Sequence, residues 1–406
     1  MRRAYRSISP EFLPLYYVLA AIGLGAGIVI PLLPVIFSSA GITPTQIGIL
    51  AVVMSAGAAC TAVPAGRWID RSDTRTVLIA GLVAISVVMN LFPFAHTMLS
   101  FGIVRFLEGC CWAVVFVAVE ARLARGSTPE TRIRNLSYYA VFNGLGFGLG
   151  PLLAIVLMPL GIWAPFAGCS LFTLLAALYS TRLSRDAIKP AETVGDRRLL
   201  GALYRWILAA FIYGLLETGM TSMLPLVFKV SGYGQAALGI TLSSFVLGGV
   251  ITPLVLSPLV NRLGKAAFVV WAAALASAAA LLVPLLPGGV ALLMALALLL
   301  GASAGVLYVL SLALIGDLVP ASKIGIANGF FSSAYSLALV VGPLLSSVLF
   351  QYVGARFFLL HVGILGLAYW LLLVLSRSWR LAAPSSAQVP SLPDADIGEP
   401  RSLPPT

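Results

Sequence analysis

Charge is what this chain of 406 residues is short of. Asp, Glu, Lys and Arg together make up 10% of it, where soluble proteins carry about a quarter. A soluble globule of this size is therefore excluded. Histidine and cysteine are scarce as well. His96 and His361 are far apart, and Cys60, Cys110, Cys111 and Cys169 all fall in apolar stretches without metal-ligand spacing, so no metal site is expected. The cysteines read as small apolar filler, and His361 as a packed or pore-lining neutral imidazole. There is no phosphate-binding glycine loop and no pair of catalytic acids. That removes a pump driven by ATP, leaves an enzyme without reactive groups, and implies no cofactor.

What the chain has instead is apolar length. Hydrophobic residues make up 60% of it, gathered into runs near the ~20 residues a bilayer-spanning helix needs. Twelve runs are expected as spans: 13–37, 46–65, 77–95, 99–121, 135–158, 163–181, 205–229, 236–258, 267–286, 290–315, 326–350 and 355–376. The fold class is an all-α membrane protein lying in the lipid bilayer. The first run is too long for a cleavable signal and no small-residue cleavage site follows it. An even number of spans puts both termini on one side.

The basic residues say which side. With the N-terminus cytoplasmic, every one of the 25 Lys and Arg falls on an inside segment except Lys229, Arg356 and Arg105, the last lying within a span. The excess of positive charge inside orients the chain with both termini in the cytoplasm of a bacterial-type inner membrane. It also accounts for the net charge of +11 without a nucleic-acid partner.

The chain repeats itself at about 191 residues. Pro34 matches Pro225, Gly41 matches Gly232, Gly48 matches Gly239, and Asp70-Arg71 matches Asn261-Arg262; Gly150-Pro151 matches Gly342-Pro343 one residue further on. A membrane chain built from two parallel repeats places a path for a small molecule between them. The expected division is a first six-helix half at 1–181, a cytoplasmic connector at 182–204, a second half at 205–376 and a disordered tail at 377–406, rich in Pro, Ser and Ala towards its end. No soluble domain is foreseen, and the chain is expected to work as a monomer.

Four motifs carry chemistry. Between the second and third runs stands GRWIDRSDTRTVL, in which Gly66, Asp70, Arg71 and Arg75 fit the loop signature G-x-L-A-D-R-x-G-R-R/K of the major facilitator superfamily. Trp68, Ile69, Asp73 and Thr74 depart from it. A degenerate copy follows at Asn261, Arg262, Gly264 and Lys265. Gly66 is expected to let two helix ends approach closely, and Asp70 to pair with Arg71, Arg75 or a neighbouring span in a latch that locks one conformation. A solvated loop that merely obeys the charge rule is the plainer alternative.

The fourth run carries FGIVRFLEGCCWAVV, which resembles the superfamily motif R-x-x-Q-G with Glu108 in place of Gln. Arg105, Glu108 and Trp112 share one helix face. The resemblance implies a cavity-lining span whose Arg serves proton or substrate handling; a purely structural ion pair is the other reading. The fifth run, with Gly146, Gly150 and Pro151, resembles the antiporter motif G-P-x-x-G, although Ser137 and Ala154 stand where glycines belong. Gly342 and Pro343 repeat it. Gly25, Pro31 and Pro34 in the first run resemble the exporters' L-G-x5-P-x-x-P. These likenesses imply export driven by an inward proton gradient.

The seventh run holds Glu217 with Tyr213 one turn before it. Arg105 lies one turn from Glu108 and holds that carboxylate charged, so Glu217 is the favoured proton carrier. Asn143 and Tyr308, polar groups inside the fifth and tenth runs, complete the candidate cavity. Glu120 and Asp317, at the inner ends of the fourth and tenth runs, are expected to pair with Arg132, Arg134 or Lys323.

The resemblance to a twelve-span major facilitator covers roughly 10–380. It implies a secondary transporter that moves a small drug or metabolite by alternating access in exchange for protons. Proton-coupled uptake and a non-transporting sensor are the alternatives.

Overall fold

The computed structural model describes residues 12–127, 129–184, 197–285, 289–319 and 324–377. These fold into thirteen α-helices: α1 (Leu13–Val29), α2 (Leu33–Ser39), α3 (Pro44–Arg71), α4 (Thr74–Met89), α5 (Met98–Gly126), α6 (Pro129–Leu157), α7 (Trp163–Ser180), α8 (Arg197–Val230), α9 (Gln235–Leu263), α10 (Lys265–Leu282), α11 (Val290–Leu318), α12 (Ile324–Val348) and α13 (Leu360–Leu375). No strand occurs among the described residues. The helices supply 12 segments long and apolar enough to cross a membrane, each overlapping one of the runs read from the sequence. The first crossing is α1 and α2 in series, interrupted at Ile30–Leu32 where Pro31 and Pro34 remove backbone donors.

The seventh crossing starts earlier than expected. Eight residues assigned to the connector, 197–204, already form the first turns of α8. The rest of the connector from 185, the tail from 378, and the basic residues Arg2, Arg3, Arg6, Lys189 and Lys323 lie outside the described residues.

The repeat is structural. Gly41 and Gly232 end corresponding crossings and both take positive φ, +83° and +74°, a conformation glycine adopts without strain. Within the first repeat α1 packs on α6 and α7, and α3 and α4 pack on α5. Within the second, α8 packs on α12, α11 and α13, and α9 and α10 pack on α11. The most extensive contacts between the repeats are α6 with α9 and α3 with α12, which the repeat turns one into the other; α8 also meets α2.

Glycines set both joints. A Cβ on Gly48 of α3 would run into Pro343 and Ser347 of α12, and a Cβ on Gly239 of α9 into Pro151 and Ile155 of α6. Hydrogen bonds cross at the same end of the bundle. The Thr45 N–H donates to Gln351 Oε1 at 3.0 Å, and Lys229 Nζ donates to Ser38 Oγ and Ser39 Oγ at 3.2 and 3.0 Å. Here the repeats meet in a closed seam. Towards the other end no hydrogen bond between the repeats is recorded among the described residues, and Ala59 and Cys60 on α3 and Ser332, Ser333 and Ser336 on α12 are exposed.

Candidate functional site

Two polar centres inside the bundle are built around an acid, one in each repeat. The first is built on α5 alone. Arg105 Nη1 donates to Glu108 Oε2 at 2.7 Å, with Arg105 8% exposed and Glu108 fully buried. A spacing of three residues on a helix brings these side chains over each other. The Trp112 ring, one turn on, lies beside the same carboxylate. Arg105 Nε, Glu108 Oε1 and the Trp112 indole nitrogen have no hydrogen-bond partner among the described residues. The pair is self-contained: one helix supplies both charges.

The second centre is assembled from three helices. Glu217 on α8 accepts a hydrogen bond from Tyr335 OH of α12 at 2.7 Å. Tyr213, one turn before Glu217, brings its hydroxyl to the same carboxylate. Tyr308 of α11 closes the group, its ring centroid 4.8 Å from that of Tyr213 and 6.1 Å from that of Tyr335, with Phe331 of α12 behind it at 5.0 Å. Glu217 forms no ion pair among the described residues. Its charge is met by phenolic donors rather than by a cation, so a proton is one species that can neutralise it.

Of the expected cavity residues, the structure brings Tyr213, Glu217 and Tyr308 together, and separately Arg105, Glu108 and Trp112. Asn143 joins neither group; its side-chain oxygen is buried and unpartnered on α6. Tyr335 was missed by the motifs, although a signal for it was present: it stands 192 residues after Asn143, the offset that relates Gly150-Pro151 to Gly342-Pro343.

The expected latch is corrected at Gly66. Gly66 makes no close approach, since a Cβ there would meet nothing within 4 Å; it lies at an open end of α3 rather than at a crossing. Arg75 donates to the Leu183 carbonyl just after α7, at 3.3 Å; its expected pairing with Asp70 lies outside the described residues. Arg122 does the same for Ser184, donating to its carbonyl and, at 2.7 Å, to its hydroxyl. These cations cap the carbonyl-rich end of α7, where positive charge is favourable. Arg71 is exposed, and the side chains of Asp70, Asn261, Arg132 and Arg134 lie outside the described set.

In the second copy, Gly264 takes φ +93° between α9 and α10, Arg262 is exposed, and Lys265 pairs with Asp317 at the end of α11. Asp317 thus meets Lys265, while Lys323, its expected partner, lies outside the described residues; Glu120 forms no hydrogen bond or ion pair among the described residues. Gly146 and Gly150 of α6 meet the backbone of α1 at Ala20 and Gly27, and Gly342 of α12 meets Thr218 of α8. Pro151 and Pro343 lie inside their helices.

A family model described as Major Facilitator Superfamily matches residues 15–287 and 206–402. The chain belongs to the Major Facilitator Superfamily. Within it, the chain is 28% identical over 244 residues to Multidrug resistance protein 1 of Bacillus subtilis, covering 57% of this chain and 62% of that one. This match spans less than two thirds of the relative's length. A longer match, 24% identical over 401 residues and covering 93% and 98% of the two chains, is to the uncharacterized MFS-type transporter YfkF of Bacillus subtilis. Among solved structures, the human organic anion transporter MFSD10 (TETRAN) superposes with a TM-score of 0.66 at 19% identity, over 90% of this chain and 100% of that one; this likeness concerns the fold. Membership makes the chain a multi-pass membrane protein of a transporter superfamily, in agreement with the 12 apolar crossings.

Proposed function

We propose that this transporter exports a small amphipathic or metabolite-like molecule in exchange for protons. The halves 1–181 and 205–376 rock about a site near the midplane, and Glu217 carries the proton. The observation behind this is the Glu217 carboxylate, deep in α8, held by tyrosine hydroxyls from two helices and by no cation. Glu108 is the weaker choice because its carboxylate is already paired with Arg105 on its own helix. The distribution of basic residues supports cytoplasmic termini, which puts the closed seam on the outer face and the parted end towards the cytoplasm. A cavity facing that way suits loading from inside. The likeness to a multidrug resistance protein supports export as the direction, and a single chain suffices for the cycle.

An untargeted comparison of metabolites in cells and medium tests this. Three strains are compared: one expressing the chain, one expressing Glu217→Gln and one lacking it. The exported compound should build up inside the second and third strains alike. Wild-type export by Glu217→Gln would remove Glu217 as the proton carrier. A nutrient left unused in the medium by the strain lacking the chain would reverse the direction to uptake.

A further inference from the structure

We propose that Tyr335 is the positioning residue that ties the charge state of Glu217 to α12, and through α12 to the outer seam. The inference rests on the reading of Glu217 as the proton carrier and adds how its proton is sensed by the rest of the molecule.

The argument is one of connectivity. Glu217 has phenolic neighbours on three helices: Tyr213 on its own helix α8, Tyr308 on α11 and Tyr335 on α12. His361, on the neighbouring α13, forms no hydrogen bond to another side chain, and no Arg or Lys pairs with Glu217 among the described residues. Tyr335 stands on α12, which packs along α3 of the other repeat, while α8, with Glu217 and Tyr213, reaches the other repeat at Lys229, near the seam's edge. Two turns beyond it, Pro343 and Ser347 abut Gly48 of α3. One turn further, the helix widens into a π-turn at Leu349–Val353, and Gln351 within that turn accepts the Thr45 N–H at the start of α3. Such π-turns are frequent at functional positions. One rigid element therefore joins the carboxylate to the seam.

The first repeat lacks this device. Gly23 of α1 meets the Asn143 carbonyl, as Gly214 of α8 meets Tyr335, so the two crossings are equivalent. Yet the places of Glu217 and Tyr335 are taken by Ala26 and Asn143, and the Asn143 oxygen has no partner. The hydrogen bond is specific to the second repeat and is not a packing requirement of the crossing.

A phenol donates strongly to a carboxylate and weakly to a neutral carboxylic acid. Hydrogen bonds to charged groups contribute enough to shift a two-state equilibrium by about tenfold or more. Proton exchange at Glu217 thus changes how firmly α12 is held to α8, and α12 carries that change to α3.

The experiment needs no substrate. In the full chain with its four native cysteines replaced, spin labels at Ala40→Cys and Ser231→Cys, exposed positions flanking the seam, report its opening in nanodiscs across a pH titration. The parent should show a step in the distance distribution. Tyr335→Phe should flatten that step about tenfold. Tyr213→Phe, which removes the neighbouring phenol on the carboxylate's own helix, should preserve it. An unchanged step in Tyr335→Phe overturns the proposal, and so does an equal loss in Tyr213→Phe. A step that survives Glu217→Gln defeats the underlying reading of Glu217 instead, so the two failures are told apart.

Discussion

The two crossings that organise the repeats, α1 over α6 and α8 over α12, share a backbone plan and differ in what fills it. In the first, Gly23, Gly27, Gly146 and Gly150 bring main chain against main chain, the close approach that small residues permit in membranes. In the second, Gly27 is replaced by Thr218, Gly146 by Ala338, Ala26 by Glu217 and Asn143 by Tyr335. At these places the first crossing packs main chain on main chain, and the second carries chemistry on the same scaffold. Duplication followed by divergence at these four places gives one repeat rigidity and the other a titratable centre.

The largest expected effect breaks this comparison at its glycines. A Cβ at Gly150 would enter the backbone of Gly27 and Ile28, with no side chain to move aside. A Cβ at Gly342 would meet the Thr218 hydroxyl, which already donates to the Gly214 carbonyl at 2.6 Å. Overpacking a filled site costs about 1–3 kcal/mol, occasionally more. Gly150→Ala should fall at or beyond the upper end of that range and yield little folded protein. Gly342→Ala should cost less, and Thr218→Ala should restore it. Melting of the purified protein in detergent measures both; equal losses, or failure of the Thr218 rescue, would show the crossings to be alike.

How far the sequence revealed this depends on the kind of signal. Twelve crossings were legible because apolar length is a local property, and α8 was misjudged only where Arg197, Arg198 and Arg205 made its inner end look like a loop. Glu217 stood out because charge is rare within a span. Tyr335 did not, since an aromatic residue in a membrane helix is ordinary and only its position opposite Glu217 makes it matter. The Gly66 reading failed for the converse reason. A motif residue was given a crossing that the fold does not make there, while the crossings that exist use Gly48, Gly57 and Gly109.

A comparable effect sharpens the contrast between the two acids. If Arg105 and Glu108 form a self-contained pair, Arg105→Ala strands a buried carboxylate and should cost about 3–5 kcal/mol. The double variant Arg105→Met with Glu108→Leu should return stability to the parent level or above, because apolar groups of similar volume often replace a buried pair without loss. Glu217→Gln, with no cation to strand, should melt close to the parent while losing gradient-driven transport. Chemical or thermal unfolding of the four proteins orders them. Should the double variant be as unstable as Arg105→Ala, the α5 charges have partners beyond each other.

The smallest effect lies at the seam, where the repeats meet on nearly equal terms. Lys229 is the repeat counterpart of Ser38, 191 residues earlier, and donates to it directly; Gly48 and Gly239 are counterparts too. Lys229 is the residue that makes this part of the seam unsymmetrical. It is exposed, and exposed charged contacts contribute about 1 kcal/mol or less, so Lys229→Ser should open the seam by no more than about fivefold. A single cysteine at Ser347, buried against Gly48, reports the opening through its rate of reaction with a membrane-impermeant maleimide from the outer side. A modest acceleration would show the ammonium helping to hold the seam shut. An unchanged rate would assign closure to the glycine joints and the Thr45–Gln351 hydrogen bond.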